Sequence, residues 1–192
     1  MAQTRTRFAN YWLEQALAEE GDSTLPAPPL EGDASCDVAI VGGGYTGLWT
    51  AIELKARDPV LDVRLIEKHI CGWGASSHNA GYLLNMWAKY PTMRRLFGTE
   101  RALAVGRAAD AALEEVVSFC ARNGIDAEIA RRGWLWGATL PQSAAEWRPL
   151  VDALEPYQVA PLRELSAEEI ADRWGLTGLH GGAIDDKAGH LQ

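Results

Sequence analysis

One short stretch constrains this chain more than any other. Val38-Ala39-Ile40-Val41-Gly42-Gly43-Gly44-Tyr45-Thr46-Gly47 is followed about twenty residues later by Glu67. An apolar run of strand length enters a G-x-G-x-x-G turn, and the turn opens a segment of helical periodicity. Gly42 permits the sharp exit from the strand. Gly44 leaves the backbone open to phosphate oxygens, and Gly47 lets the helix lie close to the strands. Gly43, Tyr45 and Thr46 complete the turn, whose unpaired N–H groups at the helix start favour an anion. Glu67 falls at the end of a second predicted strand, where a carboxylate accepts hydrogen bonds from ribose hydroxyls. An acid there disfavours a 2′-phosphate, which makes NADP the less suited ligand. These parts together hold the adenosine and pyrophosphate end of a dinucleotide. The turn alone does not separate FAD from NAD.

The surrounding chain predicts a βαβ unit. Residues 38–41 read as a parallel strand buried on both faces. Residues 46–57 read as a helix with Leu48, Ala51, Ile52 and Leu54 toward the sheet, ended by Asp58-Pro59. Residues 62–67 read as the second strand. Before this unit, residues 8–20 carry Phe8, Tyr11, Trp12 and Ala16 at helical spacing, and residues 21–35 form a proline-containing extended linker. After it, residues 71–81 form a loop. Residues 99–123 form a long helix with Leu113, Val116, Val117 and Cys120 as its apolar stripe and Asn123-Gly124 as its stop. Residues 133–139 read as a strand with Trp134 and Trp136 on one face. Ser166-Ala167-Glu168-Glu169 is a capping box that starts a helix running to about Trp174.

Composition excludes several classes of function. Of 192 residues 47% are hydrophobic, which allows a real core, and the formal net charge is −8. That charge argues against non-specific nucleic-acid binding and against an anionic membrane surface. Cys36, Cys71 and Cys120 are odd in number and lack C-x-x-C spacing. They suit reduced thiols in a cytoplasmic protein, with Cys71 read as a buried small residue. No signal peptide, membrane span or metal-ligand spacing is legible. The eight tryptophans read chiefly as core and interface packing. Asp185-Asp186 reads as a solvated turn and Arg131-Arg132 as a surface pair. No residue is assigned as a catalytic base.

The loop after Glu67 discriminates between cofactors. Gly72-Trp73-Gly74-Ala75-Ser76-Ser77-His78-Asn79-Ala80-Gly81 offers backbone N–H groups, hydroxyls and small side chains at the C-terminal edge of the sheet. A ligand extending past the pyrophosphate would lie there. G-G-G-Y-T-G-L, Glu67 and G-W-G-A-S-x-x-N-x-G together resemble the D-amino-acid-oxidase-type family of FAD-dependent oxidoreductases, in the branch that contains gamma-glutamylputrescine oxidase. The Tyr11-Trp12 helix and the Pro-Pro-Leu linker resemble that branch as well.

This resemblance implies an α/β fold: a Rossmann-like βαβ FAD-binding domain with a parallel sheet, and the beginning of an antiparallel-sheet substrate domain. The expected division is residues 1–35 for the N-terminal helix and linker, 36–98 for the FAD-binding segment, and 99–192 for a helical segment and part of the substrate domain. The implied cofactor residues are Gly42, Gly43, Gly44, Tyr45, Thr46, Gly47, Glu67, Lys68, Gly74, Ala75, Ser76, Ser77, His78, Asn79 and Gly81. The implied chemistry is oxidation of a C–N bond in a small-molecule amine or amino acid by hydride transfer to flavin, followed by imine hydrolysis.

Two departures from the family pattern bear on this. Many relatives carry Arg where His78 stands, and related dimethylglycine dehydrogenases attach flavin covalently through a His there. His78 is thus a candidate tether, weighed against the plainer role of a polar loop residue bonded to a phosphate, a flavin atom or a carbonyl. Family members are also longer. A βαβ unit leaves sheet edges and apolar faces that something must cover. The expectation is therefore a fragment, a truncated product, or one half of an enzyme completed by a second chain. An NAD-dependent Rossmann dehydrogenase and a non-catalytic nucleotide-binding half are the alternative readings.

Overall fold

The helices and strands gather into two compact units, Met1–Ala80 and Gly81–Gln192. The structure is a computed structural model, and it describes residues 10–20 and 27–192.

In the first unit, helix α1 (Tyr11–Glu20) precedes strand β1 (Val38–Val41), helix α2 (Tyr45–Arg57) and strand β2 (Val63–Ile66). Phe8 lies outside the described residues, as do residues 21–26. Residues 27–35 form neither helix nor strand. β1 and β2 pair in parallel, from Val38 opposite Val63 to Val41 opposite Ile66. The ladder continues on both sides, with Asp37 N–H donating to the Asp62 carbonyl (3.0 Å) and Gly42 N–H donating to the Ile66 carbonyl (2.8 Å). The turn between α2 and β2 is tied by Lys55, whose ammonium donates to the carbonyls of Pro59 (2.5 Å) and Leu61 (3.0 Å).

Three expectations for this unit need correction. β1 is not buried on both faces: its burial alternates along the strand, and Val41 is 86% exposed. A two-stranded sheet with one helix covers one face only, so the expected two-sided burial has no second layer to supply it. Ile52 likewise is exposed, while Leu48, Ala51 and Leu54 are half-buried toward the sheet. Cys71 is exposed, against the expectation of a buried small residue, because its loop lies at the open edge of the strands.

In the second unit, strand β3 (Tyr82–Leu83) is followed by helices α3 (Tyr90–Phe97) and α4 (Thr99–Asn123). Then come strand β4 (Trp134–Gly137), helix α5 (Arg148–Leu154), strand β5 (Arg163–Leu165), helix α6 (Ala167–Trp174), and strands β6 (Gly182–Asp185) and β7 (Gly189–His190). β6 is the central strand of an antiparallel sheet of order β4-β6-β5, and β3 pairs antiparallel with β7. β4 is the strand read from its alternating tryptophans, and the rings of Trp134 and Trp136 stand 6.1 Å apart on one face.

α4 has the bounds its sequence implies, closed by Gly124 in the left-handed region with its N–H on the carbonyls of Ala121 and Cys120. Its apolar stripe is displaced from the expected one. Ala102, Leu103, Gly106 and Leu113 are buried, whereas Val116, Val117 and Cys120 are only half-buried. The reason is Trp87, which packs with Tyr90, Met93, Leu150 and Leu154 against the N-terminal half of the helix. α6 opens with the anticipated capping box: Ser166 Oγ accepts from Glu169 N–H (3.1 Å), and Glu169 accepts from Ser166 N–H (2.7 Å).

Asp185 and Asp186 part company, which corrects their reading as a solvated turn. Asp186 is exposed and pairs with Arg163 and Arg173. Asp185 ends the central strand at 4% exposure and accepts from Asn85 Nδ2 (2.5 Å) and Lys187 N–H (3.0 Å). Arg131 is held in the structure rather than free on it: it chelates Glu114 at 2.7 and 2.9 Å and donates to the Lys187 carbonyl. Among the described residues no helix is long and apolar enough to cross a membrane.

Candidate functional site

The first unit brings the glycine turn, the distal acid and the second loop together. Gly42 leaves β1 at φ +107°, a backbone conformation that L side chains rarely adopt, and so turns the chain into α2. At Gly47 the constraint is contact rather than torsion. A Cβ there would collide with the Gly42 carbonyl oxygen and come 3.3 Å from Ile40 Cγ2. That is the close helix–strand approach expected of the third glycine. A Cβ at Gly44 would meet only the hydroxyl of Ser76, at 2.9 Å.

Glu67 follows β2 directly and reaches back over the turn. Its Oε2 accepts from Gly43 N–H at 2.7 Å and its Oε1 accepts from His69 N–H at 3.0 Å. The Gly43 N–H first, then that of His69, hold the carboxyl below the usual glutamate range. Each carboxylate oxygen keeps a further lone pair, so the group can accept additional hydroxyl donors. Gly43 N–H is thereby committed to Glu67. Its carbonyl accepts from Gly72 N–H (2.8 Å), which stitches the two loops together.

The start of α2 presents backbone donors and no acid. Tyr45 N–H donates to Ser76 Oγ (3.0 Å), while the N–H groups of Thr46 and Gly47 have no acceptor among the described residues. Tyr45, Thr46 and Lys68 are exposed.

The second loop contains a single 3-10 turn, Ala75–Ser77. Gly74 and Ala75 are exposed, and their carbonyls accept from the N–H groups of Ser77 (3.3 Å) and His78 (3.1 Å). Asn79 Nδ2 donates to the Ser76 carbonyl at 2.6 Å. His78 is exposed, and its Nδ1 lies 2.8 Å from the Gly74 carbonyl oxygen. That contact is a hydrogen bond only if Nδ1 carries the proton, which leaves Nε2 as the basic ring nitrogen. Ser77 is buried, and its hydroxyl accepts from Asn10 Nδ2 at 2.6 Å. Gly81 lies in the second unit at φ +67°, where its carbonyl accepts from Leu191 N–H.

Asn10 was not singled out from the sequence, although its place ahead of an apolar-periodic segment is that of a helix N-cap. It caps α1, accepting from Trp12 N–H at 3.2 Å through Oδ1, and uses its amide on the second loop. Trp12 adds a second tie, with its indole Nε1 donating to the Asn79 carbonyl (2.8 Å).

A parallel β-α-β unit with a positive-φ glycine exit, a helix start free of acids and an acid directly after the second strand defines a dinucleotide-binding class of protein. The comparisons narrow that class. A model of the family described as DAO, FAD dependent oxidoreductase, matches residues 37–192. The chain belongs to this family of FAD-dependent oxidoreductases. It is 28% identical over 175 residues to gamma-glutamylputrescine oxidoreductase of Escherichia coli (strain K12), covering 91% of this chain and 40% of the relative. It is 32% identical over 178 residues to the probable oxidoreductase OrdL of Rhizobium meliloti (strain 1021), covering 88% of this chain and 40% of that one. Among solved structures, glycine oxidase from Geobacillus kaustophilus superposes with a TM-score of 0.57 at 28% identity, over 81% of this chain and 40% of its own. The chain thus spans about 40% of the length of the relatives it matches. The family match selects FAD over the NAD-linked alternative.

Proposed function

We propose that this chain is the FAD-binding segment of an oxidoreductase that acts on the C–N bond of a small amine or amino acid. The observation that carries the reading is the turn itself. Gly42 at positive φ, Gly44 without a side chain and Gly47 against the Gly42 carbonyl leave an open cradle at an acid-free helix start, with Glu67 beside it. The relatives, a gamma-glutamylputrescine oxidoreductase and a glycine oxidase, support the substrate class.

In this reading the N–H groups of Thr46 and Gly47 hold the pyrophosphate and the α2 dipole favours its charge. Glu67 performs two tasks. It pins Gly43, and so sets the shape of the turn, and its remaining lone pairs accept from the adenosine ribose. Because the turn's own N–H groups hold the carboxyl below the usual range, it stays ionised and acceptor-only well into mild acid. Gly74, Ala75, Ser76 and Asn79 line the path beyond the pyrophosphate, with Ser76 bridging to the start of α2. Lys68 supplies an exposed cation beside Glu67. FAD, when bound, supplies the two-electron acceptor for C–N oxidation.

Reconstitution with FAD tests the reading. A purified chain that turns yellow and shows a shifted flavin spectrum supports it, and a chain that stays colourless while binding NADH overturns it. Bleaching by added amines under anaerobic conditions distinguishes a catalytic protein from a nucleotide-binding half. Acid precipitation tests His78 separately: a colourless precipitate means that flavin is held without a covalent bond, and a yellow one that His78→Ala turns colourless means a tether at His78.

A further inference from the structure

The middle of the second loop is tied to two helix starts. Ser76 Oγ accepts from Tyr45 N–H at the start of α2, and Ser77 Oγ accepts from Asn10 Nδ2 at the start of α1. Asn79 closes the set: its carbonyl accepts from Trp12 Nε1, and its own amide donates back to the Ser76 carbonyl. Three residues of the loop, Ser76, Ser77 and Asn79, are therefore tied, and two of the ties come from Asn10 and Trp12 at the start of α1.

Asn10 is the residue with no slack in this arrangement. It is 7% exposed, so both ends of its amide need partners. Oδ1 accepts from Trp12 N–H, Nδ2 donates to Ser77, and the same Nδ2 stands 3.2 Å from His78 Nδ1. Ser77 accepts from Asn10 in either His78 tautomer, whereas His78 Nδ1 can accept only when it does not carry the proton. The Asn10 amide and the Gly74 carbonyl thus both stand against His78 Nδ1. Removing this one side chain would leave the buried Ser77 hydroxyl without its donor.

We propose that Asn10 is a positioning residue for flavin binding: it uses the cap of α1 to hold Ser77 and the ring of His78, and through Ser76 keeps the loop set against the start of α2. The proposal rests on the FAD-binding reading above, but its structural half concerns this chain's own residues and can be tested without flavin. It makes the N-terminal helix part of the cofactor site rather than a detached leader.

Asn10→Ser separates capping from clamping, because serine caps a helix as well as asparagine does but is too short to reach Ser77. In the flavin-free chain, Asn10→Ser is expected to speed amide hydrogen exchange at Ser77 and His78 about tenfold, with residues 45–57 and the helical circular dichroism unchanged. In FAD titrations, Asn10→Ser and Ser77→Ala should each weaken binding about tenfold, and the double variant should be no weaker than either single one. Glu14→Gln, an exposed change on the same helix, should leave both readouts at the wild-type level. Unchanged exchange in Asn10→Ser, or additive losses in the double variant, would overturn the proposal. A wild-type chain that binds no FAD would sink the flavin reading instead, and the exchange measurement would still decide the clamp.

Discussion

Replacing Gly47 with alanine sets two physical effects against each other. Gly47 lies inside α2, where exchange to alanine in an isolated helix gains about 1 kcal/mol of propensity. In this structure the new methyl group would overlap the Gly42 carbonyl oxygen and press on Ile40 Cγ2 at 3.3 Å. The first obstacle is backbone, at the one point where Gly42 must hold positive φ and donate its N–H to Ile66. It cannot rotate away as a side chain would. Overpacking of this kind costs about 3 kcal/mol at the upper end of its usual range. The net expectation is a loss of about 2 kcal/mol, or roughly a thirtyfold fall in the folded-to-unfolded ratio. The helix start must also shift away from the strand, so FAD affinity falls with it. Urea unfolding at fixed temperature measures the first effect and FAD titration the second. Gly44→Ala is the internal contrast, since it meets only the Ser76 hydroxyl and should cost about 1 kcal/mol through the lost Tyr45 bond, while still blocking phosphate approach. A Gly47→Ala protein as stable as wild type, with unaltered FAD binding, would refute the close-approach argument.

Other outcomes follow from the same geometry. Glu67→Gln keeps the size of the side chain but offers one acceptor where two N–H groups need one, so FAD affinity should fall at least tenfold, as read by flavin fluorescence. Gly106→Ala drives a methyl group into the ring of Trp87, which is buried and donates to Asp110 at 2.9 Å. A loss of about 2 kcal/mol and a shifted tryptophan emission are expected on denaturant titration. Asp185 carries a pH signature: burial raises its carboxyl above the usual aspartate range, outweighing the Lys187 N–H bond that lowers it. The folded state then binds the proton more tightly than the unfolded state. Stability from this group is fully present below the ordinary aspartate range and is lost as pH rises through the raised value. Comparing urea midpoints of wild type and Asp185→Asn from acid to neutral pH should show this slope in the wild type alone.

Local signals accounted for much of the fold. β1 at Val38–Val41, α4 at Thr99–Asn123 and the Ser166 capping box are legible because each is encoded within a few residues, by apolar periodicity, a stop glycine or a reciprocal cap. The glycine turn is legible for the same reason, since its torsion and close-approach demands fall on adjacent positions. What escaped depends on partners far along the chain. Asn10 meets Ser77 across 67 residues, and Asn85 meets Asp185 across 100. No window of sequence contains both members of either pair. The displaced stripe of α4 has the same origin, because Trp87 and not the helix's own pattern selects which turn is covered.

The sequence by itself determined a dinucleotide turn, its acid and the family to which both belong, because those are properties of short spacing and residue type. Only the tertiary structure decided how the acid is used. Glu67 spends one oxygen on Gly43 and the other on His69, so it shapes the turn before any ribose is near. Only the tertiary structure brought the cap of α1 onto the second loop, since a hydrogen bond between distant residues exists once packing has delivered both to the same buried place.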